Sequence, residues 1–197
     1  TIMHANNEVG AIQPIAELSE IAHQQGVVFH TDGAQSVGKI KTDVKELGVD
    51  LMSIAAHKFY GPKGIGALYI KKGIQLEKLI HGADHERNMR AGTENIMEIA
   101  GMGKAAEVAL RDLVKNTLHY QSLRDRLEAK LTEELGQIRI NSQDVSRLPN
   151  TLSISIPHVE ANTLLDSLEG LAASAGAACH TDSIDVSSVL EAMQVPI

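Results

Sequence analysis

The chain has 197 residues, 43% of them hydrophobic and 22% charged, which is ample material for a buried core and unlike a disordered or collagen-like polymer. The 18 Lys and Arg stand against 25 Asp and Glu, a formal net charge of -7, and the basic residues are scattered, which argues against a polyanionic partner such as nucleic acid. No apolar run approaches the roughly 20 residues that cross a bilayer, and the first residues form neither a signal nor a transit peptide, so the expectation is a soluble cytoplasmic protein.

In chain order, residues 2–5 form the first predicted strand, which ends in the polar cluster Asn6-Asn7-Glu8. Pro14 opens a helix with Ile15, Leu18, Ile21 and Ala22 on one face, and Gly26 closes it. Residues 27–30 read as the second strand and run into Thr31-Asp32-Gly33-Ala34-Gln35. Residues 51–55 are the third, followed by His57-Lys58-Phe59-Tyr60-Gly61-Pro62-Lys63-Gly64, and residues 66–70 are the fourth. Strands alternating with helical stretches predict βαβ units and a mostly parallel sheet. Three polar clusters therefore follow three successive strand ends, where an open α/β sheet binds its ligands.

Residues 80–95 turn polar and read as a loop containing His81, His85, Arg87, Arg90, Thr93 and Glu94. Helical periodicity resumes at residue 96 and runs, with a break, to about residue 135. A helix of this length leaves one body for another, so the domain change is placed near residues 100–118, giving units of 1–105 and 106–197. The second unit reads as α+β, with strands at 138–140 and 151–156, a helix at 161–168, a short strand at 171–175, the Cys179 loop and a last helix at 186–193.

By residue type alone, Lys58 is either an amine placed to form an imine with a carbonyl compound or a solvated turn lysine. Asp32 and Gln35, at i and i+3 after a strand, either face one bound ring or serve as a helix cap with a structural amide. Cys179, the one cysteine of the chain, is either an exposed nucleophile beside His180 or an inert buried thiol. His81 and His85 stand four apart, but Gly82 lies between them and no third ligand has convincing spacing, so no metal site is assigned. The glycine-rich stretch around Lys63 lacks the Gly-Lys-Ser/Thr ending of a Walker loop.

The strings Asn6-Asn7-Glu8-Val9-Gly10, His30-Thr31-Asp32-Gly33-Ala34-Gln35, His57-Lys58-Phe59-Tyr60-Gly61-Pro62-Lys63-Gly64 and Glu86-Arg87-Asn88-Met89-Arg90-Ala91-Gly92-Thr93-Glu94-Asn95, with Gly176-Ala177-Ala178-Cys179, occur in an order and spacing that resemble the cysteine desulfurase and selenocysteine lyase family. These are class V, fold-type I enzymes that use pyridoxal 5'-phosphate, and the resemblance covers essentially the whole chain. It implies part of a fold-type I large domain followed by a small C-terminal domain. It also implies that Lys58 bonds the cofactor aldehyde and that Asp32 partners the pyridinium nitrogen. Gln35 and Asn7 would contact ring substituents, the phenolic oxygen foremost, and His57 would lie by the phosphate. Thr93 would reach the phosphate of the neighbouring protomer's cofactor in a homodimer, and Cys179 would accept the chalcogen atom.

The implied substrate is L-cysteine or L-selenocysteine, with L-alanine as product, a sulfur-acceptor protein as a further partner and iron–sulfur cluster assembly as the destination. Ala55 stands where many desulfurases carry a phosphate-binding serine, and the Gly-Ala-Ala-Cys-His string and Asn88 look lyase-like, yet desulfuration is favoured as the commoner activity. The family's glycine-rich phosphate turn, its ring-stacking histidine and its substrate-carboxylate arginine have no counterpart in the chain, which is therefore expected to be a shortened piece of a longer enzyme. Two rival readings are a non-catalytic interaction module and a metal-dependent hydrolase built on His81 and His85.

Overall fold

The structure, a computed structural model, describes residues 1–171 and 187–195. Two compact units divide it, one of residues 1–5 and 13–117, the other of residues 6–12 and those from 118 on. This division and the one expected at 105/106 both fall within a single long helix.

The first unit holds a four-stranded sheet in the order β1 (Ile2–Met3), β2 (His30–Asp32), β3 (Leu51–Ala55), β4 (Gly66–Ile70). The first three strands run parallel, with Met3 opposite Asp32 and Asp32 opposite Ser53, and β4 returns antiparallel against β3. This parallel-dominated α/β sheet is the expected fold class. The carboxyl ends of β1, β2 and β3 consequently lie along one edge.

Helix α1 (Ile15–Gln24) follows Pro14 and ends before Gly26, whose φ of +67° is open to glycine at little cost. It buries Ile15 into a cluster with Phe29, Val49 and Met52, against which Leu18 and Ala22 pack. Ile21, expected on that face, is 58% exposed. At about 100° per residue it sits about 120° from Ile15, whereas Ser19 lies within about 40° and takes the buried position.

Three further expectations are corrected. Val27 and Val28 are not in β2, which starts at His30, and both are exposed. The amide of Phe29 is bonded to the Asp50 carboxylate at 2.9 Å rather than to a neighbouring strand, so the ladder begins one residue later. The break expected in the long helix does not occur: α3 (Ile96–Leu135) is continuous. Gly101 suggests a break by propensity, but it is used for close packing, because a Cβ there would lie 2.6 Å from Pro62 Cγ. The 80–95 loop also contains one short turn, α2 (His85–Asn88), in which Glu86 and Arg87 adopt left-handed backbone angles.

In the second unit β5 (Arg139–Ile140) pairs antiparallel with β6 (Ile154–Ser155), followed by α4 (Ala161–Ser167) and α5 (Ser188–Ala192). Residues 6–12 belong here: Ala11 bridges Arg147, and Gly10, at φ +73°, packs against Thr151 and accepts the amide of Leu148 at 2.8 Å. The carboxyl-terminal half of α3 contributes Arg124, which donates to the Leu148 carbonyl at 2.9 Å, and Glu128, which pairs with Arg147 at 3.0 Å. The strand expected at 171–175 and the Cys179 loop lie outside the described residues. Among the described residues no helix is long and apolar enough to cross a membrane.

Candidate functional site

The site grows from the shared edge of β1, β2 and β3. Asp32 is the last residue of β2, and its backbone is held from both sides: its carbonyl accepts the His4 amide at 2.9 Å, and the next amide, Gly33, donates to the Ser53 carbonyl at 2.9 Å. The chain then enters a helical turn in which Ser36 and Val37 donate their amides to the Gly33 carbonyl at 3.1 and 3.0 Å. The Ala34 amide donates to Asp32 Oδ1 at 2.8 Å, which fixes the carboxylate, while Oδ2 has no hydrogen-bond partner among the described residues. Asp32 is exposed on this edge.

A buried pair supports the turn from below. His4 Nδ1 lies 3.0 Å from Ser36 Oγ, and that hydroxyl donates its single hydrogen to the Gly33 carbonyl at 3.2 Å. His4 must therefore be the donor through Nδ1–H. Burial lowers its pKa, in keeping with a neutral ring.

The neighbouring strand β3 leads into a 3-10 turn, Ala56–Phe59, closed by Tyr60 in the left-handed region at φ +67°. Ala56 and Phe59 are buried, at 0% and 4% exposure, and anchor the turn. The two residues between them, His57 and Lys58, are thereby left exposed. Lys58 makes no hydrogen bond or ion pair among the described residues.

The segment carrying Gln35 packs against this turn. A Cβ on Gly38, at φ +76°, would lie 2.8 Å from Phe59 Cβ, so only glycine permits the approach. Next to it, half-buried Lys39 donates to the Gln35 carbonyl at 3.0 Å and faces Gln35 Oε1 at 3.5 Å. Burial, and then the charge of Lys58, bring the Lys39 pKa down to about 8. Lys39 and the His4–Ser36 pair escaped sequence reasoning. The i, i+4 spacing of Gln35 and Lys39 was the available signal for the first, and an inward position following β1 for His4.

Asp32, Gln35, His57, Lys58 and Thr93 all belong to the first unit. Thr93 is exposed in the loop between α2 and α3. Asn7 belongs to the second unit, exposed in a tight turn shaped by buried Asn6, whose Oδ1 accepts the amides of Glu8 and Val9 at 2.8 and 2.9 Å. Cys179 lies outside the described residues. Among the described residues no three His, Cys, Asp or Glu side chains gather to hold a metal ion.

The donor set fits pyridoxal phosphate: an accessible amine, a fixed carboxylate with an oxygen to spare, and an amide one turn away on the same segment. That combination has an acceptor for a protonated ring nitrogen and a nucleophile for an aldehyde.

The aminotransferase class-V family model matches residues 1–195 of the chain. A curated relative, cysteine desulfurase IscS of Dictyoglomus turgidum (strain DSM 6724 / Z-1310), is 49% identical over 199 residues, covering 100% of this chain and 50% of the relative. Among solved structures, a NifS-like protein from Rickettsia africae ESF-5 superposes with a TM-score of 0.80 at 36% identity, over 83% of this chain and 45% of that one. A structure titled SspA in complex with cysteine gives a TM-score of 0.63 at 35% identity, over 78% of this chain and 42% of that one. The chain spans about half the length of the curated relatives it matches.

Proposed function

Because the chain belongs to the aminotransferase class-V family, we propose that the protein carrying it is a pyridoxal phosphate-dependent cysteine desulfurase, which takes the sulfur of L-cysteine onto Cys179 and leaves L-alanine. The observation that carries this reading is the placement of Asp32 and Lys58 at the carboxyl ends of neighbouring parallel strands, one a carboxylate held by the Ala34 amide, the other an amine left outward by its turn. Relatives named cysteine desulfurase and a cysteine-bound structural neighbour support the choice of substrate.

When bound, the cofactor supplies an electron sink for the substrate Cα. Asp32 keeps the ring-nitrogen proton in place, since a carboxylate at that atom favours its charged form. By the family resemblance, Gln35 and Asn7 would hold polar ring substituents and His57 the phosphate. Lys58 would hold the aldehyde end through its amine and, when that amine is free, would take and return protons as a general base. Cys179 would attack the substrate sulfur as a thiolate; the carbon–sulfur bond breaks with its electron pair passing to the substrate Cβ, which takes up a proton to become the methyl group of L-alanine, and the sulfur stays on Cys179 as a persulfide for transfer to an acceptor protein, with iron–sulfur cluster assembly as the destination. Thr93, exposed ahead of α3, reaches the partner protomer's phosphate in a homodimer.

The test is a visible spectrum of the complete gene product with pyridoxal phosphate: an absorption band that Lys58→Ala abolishes is expected, and its absence from the parent protein overturns the reading. For the second substrate the family handles, Cys179→Ala is expected to stop release of sulfur from cysteine while sparing selenocysteine, whose selenium leaves more readily.

A further inference from the structure

Gln35 can serve a phenolic oxygen only if its side chain presents the NH2 end. An amide is nearly symmetric in shape, so something must choose between its two orientations. The choice is made by whatever faces the other end. A lysine ammonium has three donors and no acceptor, so an amide held beside one turns its oxygen toward it.

Lys39 is placed for this role. Its backbone is pinned from two directions, by its own amide donating to Ser36 O at 3.0 Å and by the Thr117 hydroxyl donating to its carbonyl at 2.8 Å. The amine reaches back one turn to the Gln35 backbone carbonyl at 3.0 Å, and from that anchored position it faces Gln35 Oε1 at 3.5 Å. The close packing of Gly38 on Phe59 brings this segment against the turn that carries Lys58. Lys39 and Lys58 sense each other electrostatically, and Lys39 is held near the point where its protonation can change.

We propose that Lys39 is a positioning residue that fixes the Gln35 amide with Oε1 turned inward, leaving Nε2 to donate to the cofactor's phenolic oxygen. This rests on the cofactor reading above and adds a residue through which that reading is tuned. Lys39 touches neither cofactor nor substrate; it acts through Gln35.

The experiment titrates the visible band of the complete gene product loaded with pyridoxal phosphate. A hydrogen bond to the phenolic oxygen, like a nearby positive charge, disfavours protonation of the lysine–cofactor linkage, so Gln35→Ala is expected to raise the midpoint by about one pH unit. Lys39→Met is expected to raise it comparably, Lys39→Arg to restore it, and Lys39→Met to add nothing in the Gln35→Ala background. A Lys39→Met shift of the same size in both backgrounds overturns the proposal, because the lysine would then act by its charge alone; an unmoved midpoint overturns it too. The Gln35 side-chain amide signals of the cofactor-free protein, assigned by nitrogen-15 NMR, provide a second readout: Lys39→Met should move or broaden them, and unchanged signals also overturn the proposal. A parent protein with no band that depends on Lys58 overturns the cofactor reading itself and this inference with it.

Discussion

The carboxylate of Asp50 accepts the amide of Phe29 at 2.9 Å, occupying the place where a β-ladder bond would stand at the entrance to β2. The same carboxylate, 7% exposed, accepts His23 Nε2 at 2.7 Å and Lys71 Nζ at 3.1 Å, which ties α1, the start of β2 and the residue after β4 to one buried group. Burial alone would raise its pKa; the donors from Phe29, His23 and Lys71 overcome that and bring it down to about 2.

A carboxyl with a lowered folded-state pKa contributes stability that is present above its unfolded value and lost as pH falls through the folded one. Asp50 is therefore expected to stabilise the first unit fully above its ordinary value of 3.8 and to lose that contribution toward pH 2. Asp50→Asn keeps an acceptor for Phe29 but loses the ion pair with Lys71 and the carboxylate that His23 Nε2 faces, and it should cost roughly 2 kcal/mol at neutral pH by linkage. Urea unfolding from pH 7 downward checks this: the gap between parent and variant should close as the solution is acidified.

Gly33 has no room for a side chain. A Cβ would lie 2.1 Å from Met52 Cε and 3.2 Å from the Ser53 carbonyl, and Met52 is itself buried at 1% exposure. Gly33→Ala must push Met52 within a filled core or shift the turn after β2, at a cost of about 1–3 kcal/mol. Because that turn sets the Asp32 carboxylate, the variant should show a lower melting temperature together with weaker binding of pyridoxal phosphate, followed by titration of its visible band.

At Asp32, Asn retains the oxygen that accepts the Ala34 amide while removing the charge. The turn should survive, with stability within about 0.5 kcal/mol of the parent. Under the proposed function, turnover of cysteine by the complete gene product should fall by roughly 100-fold or more, because a bound ring nitrogen would lose the carboxylate proposed to keep it protonated. A melting curve and an alanine-formation assay on the same preparation separate the two effects.

How much of this was written in the sequence depends on the element. β3 and β4 occupy the expected residues because short apolar runs bounded by Gly, Pro and polar clusters leave one register available. Lys58 and Asp32 could be singled out because each lies at or just beyond the carboxyl end of a strand, where an α/β sheet exposes its loops. The start of β2 was not legible, since Val27 and Val28 have strand composition and only the distant Asp50 diverts the Phe29 amide. Nor was the continuity of α3, where Gly101 looks like a breaker until Pro62 is seen against it. Lys39 has the sequence appearance of a surface lysine; its half-buried position comes from Gly38 meeting Phe59, a contact between segments 21 residues apart.

Lys39 also gives the first unit a pH dependence of opposite origin to that of Asp50. Its pKa is held down to about 8 from 10.5 by burial and by the Lys58 charge, so between those values the unfolded chain binds more protons than the folded one. Stability contributed by this group therefore rises with pH across that window, and the cost of charging the half-buried amine is fully present below it. Lys39→Met removes the titration, and its unfolding free energy should stay flat from pH 8 to 10 relative to a parent that climbs. Lys39→Arg, which stays charged throughout, should also lose the climb while keeping a donor for Gln35. Equilibrium unfolding across that range, with cofactor absent, checks the expectation; a parent that fails to climb relative to both variants contradicts it.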